Sequence, residues 1–242
     1  MALNFAAVTQ MIQLPDSISA VRNVPGATLC GWVKLTSKAA SNGQVLISLT
    51  RNGSRAFSRC RISAVGQGGT YLRGSGQALD ADGNSFFEST TLSLTIGQWG
   101  FIAGTFDYVN RRIRLFLNNS SQQSGVLGWT AGNCSNTTTL ANTVGNWDGA
   151  SGNDIPLFGS AEDVRIYNRV LSIEELLTIY SCNGSDGIFL GLQARYIFND
   201  RAVGYAMVGG DTVKDLEGNY LGTATAGSIY SDSQLKPLRQ YQ

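Results

Sequence analysis

The residues that could do covalent chemistry in this chain are few. Among 242 residues there is no histidine, which removes Ser–His and Cys–His nucleophile pairs and every histidine-containing metal site. Glutamate occurs five times, as Glu88, Glu162, Glu174, Glu175 and Glu217. Glu162 and Asp163 are adjacent, and neighbours on a regular strand point to opposite faces. Glu174 and Glu175 belong to a helix start, where acids answer the helix dipole. No catalytic residue is assigned, and the chain is expected not to be an enzyme.

Residues suited to binding are more plentiful. Arg51, Arg55, Arg59 and Arg61 fall within eleven residues around an expected hairpin. Arg59 and Arg61 should share one strand face, with Cys60 and Ile62 on the other. That face is either solvated or a contact for an acidic partner surface or a sulfated glycan. Trp32 and Trp99 lie in apolar strand patterns and read as core. Trp129 and Trp147 sit instead among Gly, Thr, Asn and Asp, where an indole can be partly exposed. There it can stack on a sugar, anchor a protein interface or simply pack a loop over the sandwich edge. With Asp148, Asn153 and Asp154 beside Trp147, these tryptophans and the four arginines form the candidate ligand- or partner-binding set.

The elements that must position them are strands joined by tight turns. Charged residues make up 14% of the chain, against roughly 25% in typical soluble proteins, and glycine occurs 29 times. Turn signals recur at Asn42-Gly43, Asn52-Gly53, Asp82-Gly83-Asn84, Asp148-Gly149, Asn183-Gly184 and Gly218-Asn219. One helix is expected. Ser172 followed three residues later by Glu175 is a capping box, and Leu171 can staple against Leu176, so a short helix should run from 173 to 180. Before it, Val164 and Ile166 alternate with Asp163, Arg165 and Tyr167, the period of a half-buried strand. The expected fold is all-β, a two-sheet antiparallel β-sandwich of jelly-roll type with one short helix. One domain should span residues 1–242, with 188–230 as a closing element and 231–242 as a C-terminal extension. No run reaches transmembrane length, and the net charge of +1 argues against a general nucleic-acid binder.

Strand and capped helix from Gly159 to Leu176 together resemble the closing signature of the laminin-G-like jelly rolls, within the concanavalin A-like lectin and glucanase superfamily. Ala27 to Lys34 is similar to that family's early core strand, in which Trp32 follows a small residue. Trp99 to Asp107 and Arg112 to Asn118 resemble its central hairpin, with Tyr108 to Arg111 as the turn. Ala194 to Asp200 and Thr212 to Thr223 look like an element that many members carry at the amino end. The resemblance implies lectins, adhesive modules, hydrolases and structural proteins alike. Glycosidases on such sandwiches use alternate acids on one strand face, typically a Glu-x-Asp-x-Glu run, and no such run occurs here.

Calcium enters through the same resemblance, since members often hold it with loop oxygens. No cofactor is required, but calcium could use the Asp80-Ala81-Asp82-Gly83-Asn84 segment or the loop from Asn146 to Asp154. The candidate ligands are Asp80, Asp82, Asp107, Asp148, Asp154 and Asp215. Calcium takes six to eight oxygens, neither loop alone supplies a recognised set, and polar turns explain both segments as well. Cys30 and Cys60 read as small core hydrophobes, while Cys134 and Cys182 could pair.

Met1 to Phe5 has neither a basic nor an apolar signal region, so no secretory leader is expected. An unexported laminin-G-like module suits a virion protein made in host cytoplasm. The favoured reading is therefore a non-catalytic virion-surface module, such as a phage head decoration or tail-associated protein, bound to neighbouring virion subunits. The alternative is an extracellular lectin-like module for cell-surface glycans, with calcium assisting at the Trp147 to Asp154 rim.

Overall fold

A computed structural model gives the fold and describes residues 1–7, 9–15, 21–37, 43–50, 58–66, 71–136, 142–147, 155–216, 220–225 and 227–231. In chain order the strands are β1 (Ala2–Phe5), β2 (Ile12–Leu14), β3 (Gly26–Leu35), β4 (Gln44–Thr50), β5 (Ser58–Gly66), β6 (Tyr71–Leu79), β7 (Ser85–Thr95), β8 (Trp99–Asp107), β9 (Arg112–Leu117), β10 (Ser120–Gln123), β11 (Asn142–Val144) and β12 (Gly159–Tyr167). After the helix α1 (Ile173–Cys182) come β13 (Leu192–Tyr196), β14 (Thr212–Val213), β15 (Gly222–Ala224) and β16 (Ile229–Ser231). Sheet I has the order β10-β9-β8-β3-β12-β1-β16, with β13 also paired to β12. Sheet II runs β14-β15-β2-β11-β4-β5-β6-β7. The all-β sandwich with a single described helix agrees with the sequence, as does the hairpin of β8 and β9.

Alternation along β3 shows how one strand serves two cores. Ala27, Leu29, Val33 and Leu35 enter the large core between the sheets, whereas Cys30 and Trp32 point to the other side of sheet I. That second side is covered by α1, whose Leu176 and Ile179 join Trp32, Phe101, Phe116 and Tyr167 in a smaller cluster. Tyr180 stacks on Trp32 with centroids 5.5 Å apart. The sheets approach closely because β8 carries Gly104 at the contact. A Cβ there would lie 2.6 Å from Ile62 Cγ2 of β5, closer than packed carbons come.

The helix forms where its caps allow. Ser172 Oγ accepts from the Glu175 amide at 3.2 Å, and Glu175 Oε2 accepts from the Ser172 amide at 2.8 Å. This capping box was legible in the sequence, and the chain leaves α1 at Asn183 with φ +47. Arg169 donates to both Glu175 oxygens at 2.6 and 2.9 Å, tying the strand exit to the helix start.

Strand β12 departs from the expected half-buried pattern, since all nine residues are buried. It lies inside sheet I, between β3 and β1, so neither edge is free, and its pairing with β3 shifts register between Glu162 and Arg165. Asp163 takes a positive φ of +48 at this irregularity. The acids and arginines of the segment are therefore held inside the structure. Asp163 Oδ1 accepts from Arg165 Nε at 3.0 Å and Arg195 Nε at 2.7 Å, and its Oδ2 accepts from Arg165 Nη2 at 2.6 Å. Asp186 accepts from Arg165 Nη1 and Nη2 at 2.9 and 2.7 Å. Two carboxylates thus answer two guanidinium groups within a buried network.

The four cysteines are free. Cys30, Cys60 and Cys134 are buried and Cys182 is exposed, so the suggested Cys134–Cys182 pair does not form. Burial pushes the Cys30 thiol up to about 12, which leaves it an inert core residue, as its strand position implies.

Candidate functional site

Strand pairing lays a polar row across the outer face of sheet II. Register places Thr223, Gln13, Thr143, Ser48, Arg61, Gln77 and Phe87 side by side across seven strands. Directly paired residues share a face. A second row pairs Ser63 with Ser75 and Ser89, and the Ser63 and Ser75 hydroxyls lie 2.7 Å apart. Opposite them, Cys60, Ile62 and Ala64 fill the core, as the alternation of β5 requires. Although polar, Ser48, Thr143, Ser63, Ser75, Gln77 and Arg61 are all buried. No carboxylate stands in either row.

Trp147 sits over this face. Strand β11 ends at Val144, and Gly145 turns the chain with φ +87, a conformation glycine adopts without steric cost. Its amide donates to the Leu46 carbonyl at 2.9 Å, and the Leu157 amide donates back to the Gly145 carbonyl at 2.8 Å. The buried Asn146 then accepts the Trp147 amide at 2.7 Å on its side-chain oxygen. So held, the indole meets the Arg61 guanidinium, whose carbon lies 4.1 Å from the ring centroid. Trp147 itself is half-buried.

Electrostatics set Arg61 apart. It is 9% exposed, and its Nε and Nη1 are buried without a hydrogen-bond partner, as is Trp147 Nε1. Among the described residues no carboxylate forms an ion pair with it. Burial alone pushes the guanidinium down to about 10. A planar donor fork and an aromatic face together suit a ligand that offers both acceptor oxygens and apolar C–H surface.

The other candidates fall elsewhere. Arg51, Arg55, Asp148, Asn153 and Asp154 lie outside the described residues. Arg59 is only 1% exposed, contrary to a solvated hairpin, and its carbonyl accepts the Tyr108 hydroxyl at 3.0 Å. Trp129 is also 1% exposed rather than a surface indole. It packs on Tyr108 with centroids 4.6 Å apart and edge-on to Phe86 at 6.2 Å, which turns a polar-looking loop into a lid on the large core.

The acidic candidates among the described residues form no common ligand set. Asp80 accepts from the Asn84 amide at 2.7 Å, the Thr130 amide at 2.8 Å and the Ala131 amide at 3.2 Å. Burial raises its pKa, but these bonds outweigh burial and hold the carboxyl below its ordinary range. Asp82 accepts from the Thr130 hydroxyl at 2.7 Å, so the segment is a turn clasped to a neighbouring loop. Asp107 spends both oxygens on Asn110, and Asp215 accepts the Arg195 amide at 2.7 Å. Among the described residues no group of three or more Cys, Asp or Glu is placed to hold a metal ion.

Sequence reading passed over Ser48, Ser63, Ser75, Gln77 and Thr143. The signal that could have found them is the period-two alternation of β5 and β6, where Arg61, Ser63, Ser75 and Gln77 interleave with Ile62, Ala64, Gly76 and Ala78. A groove of about 330 Å³ lies on the outer face of sheet I beside the start of α1 and includes Thr105, Arg112 and Arg114. Its Arg112 already donates to the Ser124 carbonyl at 2.7 Å.

Solved structures of similar fold are numerous. A Bacteroides ovatus protein to which carbohydrate binding is ascribed is 15% identical, with a TM-score of 0.69 over 96% of this chain and 60% of its own. This chain therefore spans less than two thirds of that protein. The CBM40 of the Ruminococcus gnavus IT-sialidase, bound to α2,3-sialyllactose, gives 15% identity and a TM-score of 0.56 over 74% of this chain and 95% of its own. The enzymatically active domain of tailspike protein 2 from bacteriophage CBA120 gives 14% identity and 0.52 over 84% of this chain and 32% of its own. No curated protein matches the sequence. Residues 7–177 match the family model described as the Concanavalin A-like lectin/glucanases superfamily, and the chain belongs to that superfamily.

Proposed function

We propose that this protein is a non-catalytic carbohydrate-binding module that takes a glycan on the outer face of sheet II. The observation that carries this reading is Trp147 held over Arg61 on a face paved with Ser, Thr and Gln. A sugar ring presents C–H groups on its faces and hydroxyls around its rim. An indole can meet the first, and the guanidinium of Arg61 in contact with it can meet an oxygen of the second. The rows hold no pair of carboxylates at the separations glycoside hydrolysis needs, which favours binding over cleavage. Carbohydrate binding ascribed to the Bacteroides ovatus protein, and sialyllactose on the Ruminococcus gnavus module, support the reading by analogy of fold.

A glycan array probed with the wild-type chain and Trp147→Ala tests it. Binding should be present in the first and fall by at least about tenfold in the second, the size of effect that losing one anchoring aromatic produces. Absence of binding to every glycan, or undiminished binding by the variant, would sink the assignment.

A second reading keeps the module on a virion surface, against neighbouring structural subunits, and the likeness to the bacteriophage tailspike domain favours it. The two are compatible if a particle-borne module binds host glycans. Co-purification with intact particles in fixed copy number supports the second reading, and its absence from particles removes it.

A further inference from the structure

We infer that the glycan taken by this face carries an anionic group, a carboxylate or a sulfate ester, and that Arg61 receives it. This rests on the carbohydrate-binding reading and narrows it. Removing a guanidinium from water costs several kcal/mol unless an opposite charge and hydrogen bonds replace the lost hydration. At Arg61 neither replacement is present among the described residues. Nε and Nη1 are buried and unpartnered, and the group in contact with the guanidinium is an indole ring.

Elsewhere in the same chain the corresponding cost is met. Arg165 is fully buried and receives carboxylate oxygens from both Asp163 and Asp186. At Arg165 and Arg195 the fold itself supplies the carboxylate. Orphaned buried donors in a native structure call for an explanation, and a ligand oxyanion supplies one. Nε and Nη1 lie on the two different edges of the guanidinium fork, each completed by Nη2, and either edge pairs with two oxygens of a carboxylate or sulfate. The ligand part bearing the charge must reach beneath or displace the Trp147 ring. The indole is half-buried, so it senses that event.

The test uses the full chain and three matched sets of oligosaccharides: neutral, carboxylated with uronic or sialic acid, and sulfated. Affinity is read by calorimetry and by tryptophan fluorescence. One anionic set should bind at least about tenfold tighter than its neutral counterpart, and the advantage should shrink as salt rises. Comparing the carboxylated and sulfated arms identifies which oxyanion is meant. Arg61→Gln should abolish the preference. Arg61→Lys keeps the charge but loses the fork, and should retain only part of it. Thermal melts of both variants establish folding, and if Gln fails to fold, Lys alone carries the comparison. Trp147→Phe should remove most of the fluorescence change while leaving the anionic preference.

Equal affinity for neutral and anionic glycans would overturn this inference and leave carbohydrate binding standing. A preference undiminished in folded Arg61→Gln or Arg61→Lys would overturn it too. No binding in any arm would overturn both readings.

Discussion

Arg165 and Arg61 occupy the outer faces of opposite sheets, and both are removed from water, yet the chain treats them differently. Arg165 lies beneath the α1 side of sheet I, bonded to Asp163 and Asp186 with a further contact to the Tyr167 hydroxyl at 3.3 Å. Burial alone would lower its pKa, but the two carboxylates more than reverse this and raise it. Arg61 has no such answer, and burial pushes it down to about 10. One region spends its ionic groups on holding β12, β13 and the post-helical loop together. The other leaves a cation under an indole, where only a partner from outside can complete it. Burial by itself is thus a poor guide to role, and charge balance around the buried group separates scaffold from site.

The strongest way to break this contrast is to unbalance the scaffold. Asp163→Asn removes the charge shared by Arg165 and Arg195, and stranding buried partners in this way costs about 3–5 kcal/mol. Urea denaturation should show that loss, with glycan affinity of the remaining folded fraction unchanged. A loss below about 1 kcal/mol would mean the network is better solvated than its burial implies.

Acid should act on the same region next. Burial pushes the Asp186 carboxyl up, but hydrogen bonds and charge from Arg165 prevail and hold it below its ordinary value. An unfolded aspartate titrates near about 3.9. The unfolded chain therefore takes up the proton first as pH falls. The stabilisation is complete above about pH 4 and is lost as pH drops through the lower native value. Urea midpoints measured from pH 7 to 3 should be flat and then fall, and Asp186→Asn should lower the plateau while flattening the fall. Arg61 moves in the opposite sense. Its cost persists below about pH 10 and is relieved only above it, so Arg61 variants should differ from wild type by a constant amount between pH 5 and 9.

Much of the scaffold was legible in the sequence because its signals are local. Ser172 and Glu175 declare the helix start within one turn, and the alternation of Arg59 to Ile62 fixes which side chains face the core. Trp147 and Arg61 were each singled out, but their contact joins β5 to the segment after β11, across a separation no periodicity encodes. Burial of Arg59 runs against the expected surface hairpin, and for Trp129 the loop-packing alternative holds over an exposed indole, for a related reason. Neighbouring Gly, Thr and Asn describe the local chain, whereas exposure depends on what packs from elsewhere, here Tyr108 and Phe86 around Trp129. The Asp163 network was missed because Arg195 and Asp186 join it from β13 and the loop after α1, across sequence separations that strand alternation does not encode.

The smaller effects decide whether Arg61 is a site or a tolerated defect. Replacing it by Met keeps the stem and removes the charge. The pKa depression corresponds to roughly 3 kcal/mol of unfavourable burial, offset by about 1–2 kcal/mol from the desolvated cation–π contact. Arg61→Met should therefore raise stability by about 1–2 kcal/mol, seen as a higher urea midpoint, while weakening glycan binding. A structural arginine would do the reverse on the first count. The double-mutant cycle with Trp147→Phe then isolates the pair. Without ligand the coupling should be about 0.5–2 kcal/mol in stability. In saturating glycan it should fall, because an oxyanion that reaches the guanidinium competes with the ring for it. A coupling that stays constant on ligand addition would mean the glycan binds elsewhere on the face and the indole holds the arginine for packing alone.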